Sequence, residues 1–138
     1  MRFHELTESN NYTVIDSDTI EIGNKTFTQN SHDRQNNYKL VLIDADLLEK
    51  MWKLGGEGWR IGKGPEYQNQ ISNRIANFKK FYEENNEIEV GDLHIRSNGV
   101  AGFGDGRHRT RVLIELGMEQ IPVSMDNESI QNLIQLEK

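Results

Sequence analysis

The chain has 138 residues, with 16 Lys and Arg against 22 Asp and Glu, a net charge of −6, and no cysteine. That length makes one domain, and Leu, Ile, Val and Phe supply a quarter of it, above the roughly 20% below which a chain tends to stay disordered. The acidic excess is shared equally by residues 1–69 and 70–138, which excludes a basic half for coating nucleic acid or anionic membrane, while the lack of cysteine excludes a disulfide framework, a thiolate zinc site and a cysteine nucleophile.

No apolar run nears the ~18 residues of a membrane span, and no signal-peptide pattern precedes the first charges, so a cytoplasmic protein without membrane contact is expected. Residues 1–37 are polar, yet Tyr12–Ile15 and Thr19–Phe27 alternate apolar with polar around Gly23-Asn24. They read as an N-terminal β-hairpin or meander ahead of the main domain, residues 38–138, with Asn30–Asn37 as the linker. Lys39–Asp44 is a continuous β-prone run, as expected of a strand buried on both faces. Asp44 or Asp46 then caps a helix running to Leu54, with Leu47, Leu48 and Met51 inward.

Gly55–Gly64 holds five glycines with Arg60 and Lys63 between them. It reads as a surface loop or as a lid over an anionic ligand. Pro65 opens the clearest helix of the chain, with Tyr67, Ile71, Ile75, Phe78 and Tyr82 at helical spacing as core positions. Ile88–Val90 begins a strand, and Leu93–Phe103 reads as a hairpin turning at Asn98-Gly99. Arg107–Leu116 is a helix stopped by Gly117 at its C′ position. Ile121–Met125 is expected as an edge strand, because Pro122 has no N–H for a ladder, and Asn127–Lys138 closes the chain as a helix. The class expected is α+β: a small mixed β-sheet flanked by helices, with an extra N-terminal β-hairpin.

The chemistry concentrates in Gly102-Phe-Gly-Asp-Gly-Arg-His-Arg-Thr-Arg111. A strand leads into glycines at alternate positions, and a helix starts at once with Arg107, His108 and Arg109. Free N–H groups, the positive end of the helix dipole and guanidinium forks in one turn suit an anion, phosphate above all. Residues 92–111 carry four arginines against Asp92 and Asp105, a +2 island in a −6 chain. The alternative is that the arginines form surface salt bridges and the glycines only build a turn. His94 alternates with Leu93 and Ile95 and reads as an exposed strand residue. His4 and His32 form no ligand spacing, so no intrinsic metal site is expected.

The same stretch resembles the ParB/sulfiredoxin-like superfamily: Asp105-Gly-Arg-His-Arg109, Leu113, Leu116-Gly117 and Ile121-Pro-Val123 follow that family's order, and the likeness spans roughly residues 67–125. The resemblance implies a phosphate grip. Gly106 and Arg109 fall on its Gly-x-x-Arg, His108 on the histidine beside that arginine, Arg74 where sulfiredoxins have a nucleotide-contacting lysine on the preceding helix, and Asn77 where they have a serine. Arg107 falls where sulfiredoxins have their catalytic cysteine, so sulfinic-acid repair is not expected. Only 13 residues follow Met125, so chromosome partition by a full ParB, with its DNA-binding helical domain, is not expected.

Three functions follow. The first is a protein binding ATP or CTP through Gly104, Gly106, Arg107, His108, Arg109, Arg74 and Asn77. Asp105 and His108 would be its catalytic candidates for phosphoryl transfer or hydrolysis, Arg60 and Lys63 its lid, and Mg²⁺ would arrive with the nucleotide. The second is a weak DNA-binding protein or a ParB-like nuclease. The third is a non-catalytic module of phage or plasmid type, meeting a protein partner through the N-terminal hairpin and the Trp52 and Trp59 region.

Overall fold

The computed structural model describes residues 5–8, 11–54 and 65–137, of which 5–8 and 65–72 by backbone alone. The elements in chain order are β1 (Glu5–Glu8), β2 (Tyr12–Ile15), β3 (Thr19–Ile22), β4 (Lys25–Thr28), α1 (Ser31–Gln35), β5 (Lys39–Asp44) and α2 (Ala45–Leu54). After these come α3 (Pro65–Glu84), β6 (Glu87–Glu89), β7 (Asp92–Ile95), β8 (Ala101–Asp105), α4 (Arg107–Glu115), β9 (Gln120–Met125) and α5 (Asn127–Leu136). The class is α+β: a six-stranded sheet ordered β1-β2-β5-β9-β7-β8 and a three-stranded sheet ordered β3-β4-β6. The pairings are antiparallel except β4 with β6 and β7 with β9.

β3 and β4 form the hairpin expected at Gly23-Asn24, with Gly23 in the left-handed region at φ 63°. The N-terminal stretch does not stand apart from the rest. β2 pairs along its whole length with β5, and β4 runs parallel to β6, so residues 12–28 contribute to both sheets. Lys25 ties them to α3: its ammonium is buried, donates to the carbonyls of Tyr82 and Asn85, and lies 4.6 Å from the centre of the Tyr82 ring. A cation there meets the negative end of the α3 dipole.

Two expectations are corrected here. Asn30–Asn37 is not a linker but carries α1, because the Asn30 side chain accepts from Asp33 N at 2.8 Å and caps the turn. β9 is not an edge strand, since it lies between β5 and β7. Its proline is tolerated by geometry. Ser124 N donates to Gly91 O, on the β7 side, so by strand alternation the nitrogen of Pro122 also faces away from β5, where the β7 ladder has not yet begun.

The core gathers around these central strands, with Leu40, Val41, Ile43, Leu93, Ile121, Val123 and Met125 buried. Trp52 belongs to it too, only 2% exposed and edge-on to Phe103 with ring centres 4.9 Å apart, which corrects its reading as partner surface. β7 meets β9 only at Asp92 and Ser124. Beyond that point α5 takes over the strand's place, with Ser129 Oγ accepting from Ile95 N at 3.0 Å and Asn132 donating to Ile95 O at 2.8 Å.

Candidate functional site

The site is built where β8 ends and α4 begins. Gly106 is the N-cap, at φ 89° and ψ 14°, a conformation open chiefly to glycine. Its lack of a side chain serves packing as well. A Cβ on Gly91 would lie 2.9 Å from Asp105 O and 3.1 Å from Gly106 O, so the turn is pressed onto the segment that enters β7. The Gly106 cap has no side-chain hydrogen bond to offer. The first helical bond is Thr110 N to Gly106 O at 2.9 Å, which leaves the N–H groups of Arg107, His108 and Arg109 outside the ladder.

The first turn of α4 contains no acidic residue. Cations there oppose the helix dipole, at a cost of roughly 0.3–1 kcal/mol each, and an anion reverses the sign of that term. A hollow of about 320 Å³ lies over the turn, lined by Arg74, Phe103, Gly104, Asp105, Arg107 and His108. Arg74 arrives from α3 and Arg107 from α4, and among the described residues neither has a carboxylate partner. His108 Nε2 is shielded from solvent and has no hydrogen-bond partner among the described residues. Burial, then the positive charges of Arg107 and Arg74, push the His108 imidazole below its ordinary range. It is neutral at pH 7.

The other expected site residues divide. Gly104 and Gly106 form the floor of the turn. Arg109 does not line the hollow: it donates to Glu89 O at 2.9 Å and to Asp105 Oδ2 at 2.9 Å, clamping α4 to β6 and to the turn. Asp105 lines the hollow with an exposed carboxylate, already engaged by Arg109. Asn77 is exposed on α3 and does not reach the hollow. Arg111 pairs with Glu49 and Glu115. Arg60, Lys63 and Trp59 lie outside the described residues. Among the described residues, no three His, Asp or Glu side chains are gathered to hold a metal ion.

Two residues that shape the site carry no motif in the sequence. Gly91 provides the close approach described above. Asp92 lies over Gly104, where a Cβ would come within 2.5 Å of its Oδ2, and its two oxygens take different partners. Oδ1 accepts from Asp105 N, and Oδ2 is 2.9 Å from His94 Nε2. The spacing Asp-x-His on one strand face was the available signal, since residues two apart point the same way. The His94 ring also meets Tyr38 edge-on, centres 6.2 Å apart. Burial, then Asp126, Asp33 and Asp92, push the Tyr38 phenol above its ordinary range.

No protein-family profile, no curated protein and no solved structure matches this chain. No helix among the described residues is long and apolar enough to cross a membrane.

Proposed function

We propose that the β8–α4 turn binds the phosphates of a nucleoside triphosphate, ATP or CTP. The reading is supported by one observation above the rest: Arg74 and Arg107, from two different helices and without carboxylate partners among the described residues, line one hollow over open helical N–H groups. Two cations lining one hollow are electrostatically unfavourable until an anion sits between them. His108 adds a polar atom that lacks a partner among the described residues. As part of the same proposal, the chain is a ParB/sulfiredoxin-like protein in which Gly106 to Arg109 open the helix. Arg109 then acts by holding the turn rather than by touching phosphate.

Mg²⁺ would come with the nucleotide, held chiefly by phosphate oxygens and water, because Asp105 is the hollow's one carboxylate among the described residues. Binding to nucleic acid draws less on this geometry, since two free arginines in a −6 chain give little affinity at physiological salt.

Calorimetric titration with ATP and with CTP, with and without Mg²⁺, tests the reading. Saturable binding is expected for the wild type, with at least tenfold weaker binding after Arg74→Ala together with Arg107→Ala. Absence of binding by the wild type at millimolar nucleotide overturns it.

A further inference from the structure

We propose that Asn98 is a self-modification site: in the folded chain its carboxamide is lost to attack by the Gly99 nitrogen, and the residue becomes aspartate and isoaspartate. Asn98 is the one asparagine of the sequence that precedes a glycine. The attacking nitrogen belongs to that next residue, where a Cβ would crowd the ring that has to close, and glycine has none. Residues 96–100 are the tip of the β7–β8 hairpin, and Asn98 is exposed there.

The fold adds to what the dipeptide supplies. The Asn98 side chain is turned back along the chain, with Oδ1 accepting from Val100 N at 3.1 Å. When Gly99 N attacks Cγ, negative charge develops on that oxygen, so the Val100 N–H stands where the oxyanion needs a donor. The Nδ2 group, which must leave, has no hydrogen-bond partner among the described residues. Other asparagines are held differently: the Nδ2 groups of Asn36, Asn85 and Asn132 donate to the carbonyls of His32, Phe81 and Ile95, so their departure breaks a bond of the fold. One contact opposes the reaction at Asn98. Gly99 N donates to Arg96 O at 3.0 Å, and that bond must open before the nitrogen can lose its proton. It lies at an exposed hairpin tip, where single backbone bonds open at low free energy while the strands stay paired.

The reaction needs water alone. Gly99 N gives up its proton and forms a bond to Asn98 Cγ, the bond from Cγ to Nδ2 breaks, and the Nδ2 group takes the proton and leaves as ammonia. A five-membered imide then joins the two residues. Water adding at Cγ reopens it to aspartate, and water adding at the backbone carbonyl carbon of residue 98 reopens it to isoaspartate, in which the main chain runs through the former side chain. Either route releases one ammonia, consumes one water and adds one negative charge to the −6 of the chain. The new carboxylate arises two residues from Arg96, which has no carboxylate partner among the described residues. The isoaspartate form also lengthens the backbone by a methylene just ahead of Gly99, a residue packed so closely that a Cβ on it would lie 3.7 Å from Leu54 and 3.8 Å from Leu136.

The test incubates the full chain in mildly alkaline buffer at physiological temperature, with circular dichroism confirming that it stays folded and a parallel sample held unfolded in urea. Peptide mass mapping locates each amide-to-acid conversion, and enzymatic carboxyl methylation detects isoaspartate. The folded chain is expected to convert at Asn98 at least ~10-fold faster than at any other described asparagine, with isoaspartate in the product. Asn98→Gln, whose longer side chain cannot close a five-membered ring, is expected to remove the acidic species seen by ion exchange. Asn98→Ser is the second variant should Asn98→Gln not fold. A folded wild type that keeps Asn98 intact while the urea-unfolded chain converts overturns the proposal, as does equal or faster conversion at another described asparagine, or an acidic species that persists in a folded Asn98 variant.

Discussion

Gly91 and Gly106 lie back to back, so close that a Cβ on Gly106 would come within 2.5 Å of Gly91 Cα. Gly106→Ala adds a left-handed backbone penalty to that collision, and Gly91→Ala drives a methyl into the Asp105 and Gly106 carbonyls. Each is expected to destabilise by roughly 2–4 kcal/mol. Gly23→Ala is the control: it shares a positive φ but meets nothing within 4 Å, so about 1 kcal/mol is expected. Urea unfolding midpoints at constant m-value measure all three.

Arg107 and Arg109 stand two residues apart and are expected to separate in experiment. Arg109→Ala removes the clamp on Glu89 O and Asp105, with an expected stability loss of about 1–2 kcal/mol, while nucleotide affinity per folded molecule stays near wild type. Arg107→Ala removes a cation that opposes the helix dipole and has no carboxylate partner among the described residues. Stability is expected to hold or rise by a few tenths of a kcal/mol, and affinity for phosphate to fall. Paired unfolding and titration experiments check both.

Inorganic phosphate or pyrophosphate is expected to raise the unfolding temperature of the wild type, in proportion to the logarithm of concentration once the site is saturated. A ligand at a hundred times its dissociation constant contributes about 2.7 kcal/mol. The combined Arg74→Ala and Arg107→Ala variant is expected to show no such shift, measured by scanning calorimetry at constant ionic strength so that screening is not mistaken for binding.

His108 gives the fold a component of acid sensitivity. Its folded imidazole titrates below the ordinary histidine value of 6.5, through burial and then through Arg107 and Arg74. Below that value the unfolded chain takes up a proton that the folded chain refuses. The stability contribution is therefore fully present above about pH 6.5 and is lost as pH falls toward the folded value. His108→Gln is expected to flatten the stability profile over that window, and Arg107→Ala to flatten it in part, as read from urea unfolding at a series of pH values.

Local signals made much of this fold legible. The Asn98-Gly99 turn is present, with Gly99 at φ 89° and the Asn98 side chain accepting from Val100 N. Pro65 and Gly117 bound their helices as their chemistry requires. What stayed hidden depends on residues distant in sequence. Pro122 suggested an edge because a sequence does not say which side of a strand its nitrogen faces. Arg109 read as a phosphate ligand because its contact to Glu89 O spans 20 residues. Asp92 carried no motif, since its meaning comes from lying over Gly104 on the neighbouring strand.

The replacement of β9 by α5 alongside Ile95 has a mechanical consequence. Where two strands share a ladder, their bond is made of peptide groups that every residue possesses, and substitution leaves it intact. Past Ser124, β7 is instead moored on that side by one hydroxyl and one carboxamide, from Ser129 and Asn132. Two side-chain changes suffice to loosen the outer end of the hairpin that carries His94 and Gly102, while the β5–β9 ladder keeps every bond. The arm bearing His94 is thus the part of the molecule that point mutation can retune without rebuilding the sheet.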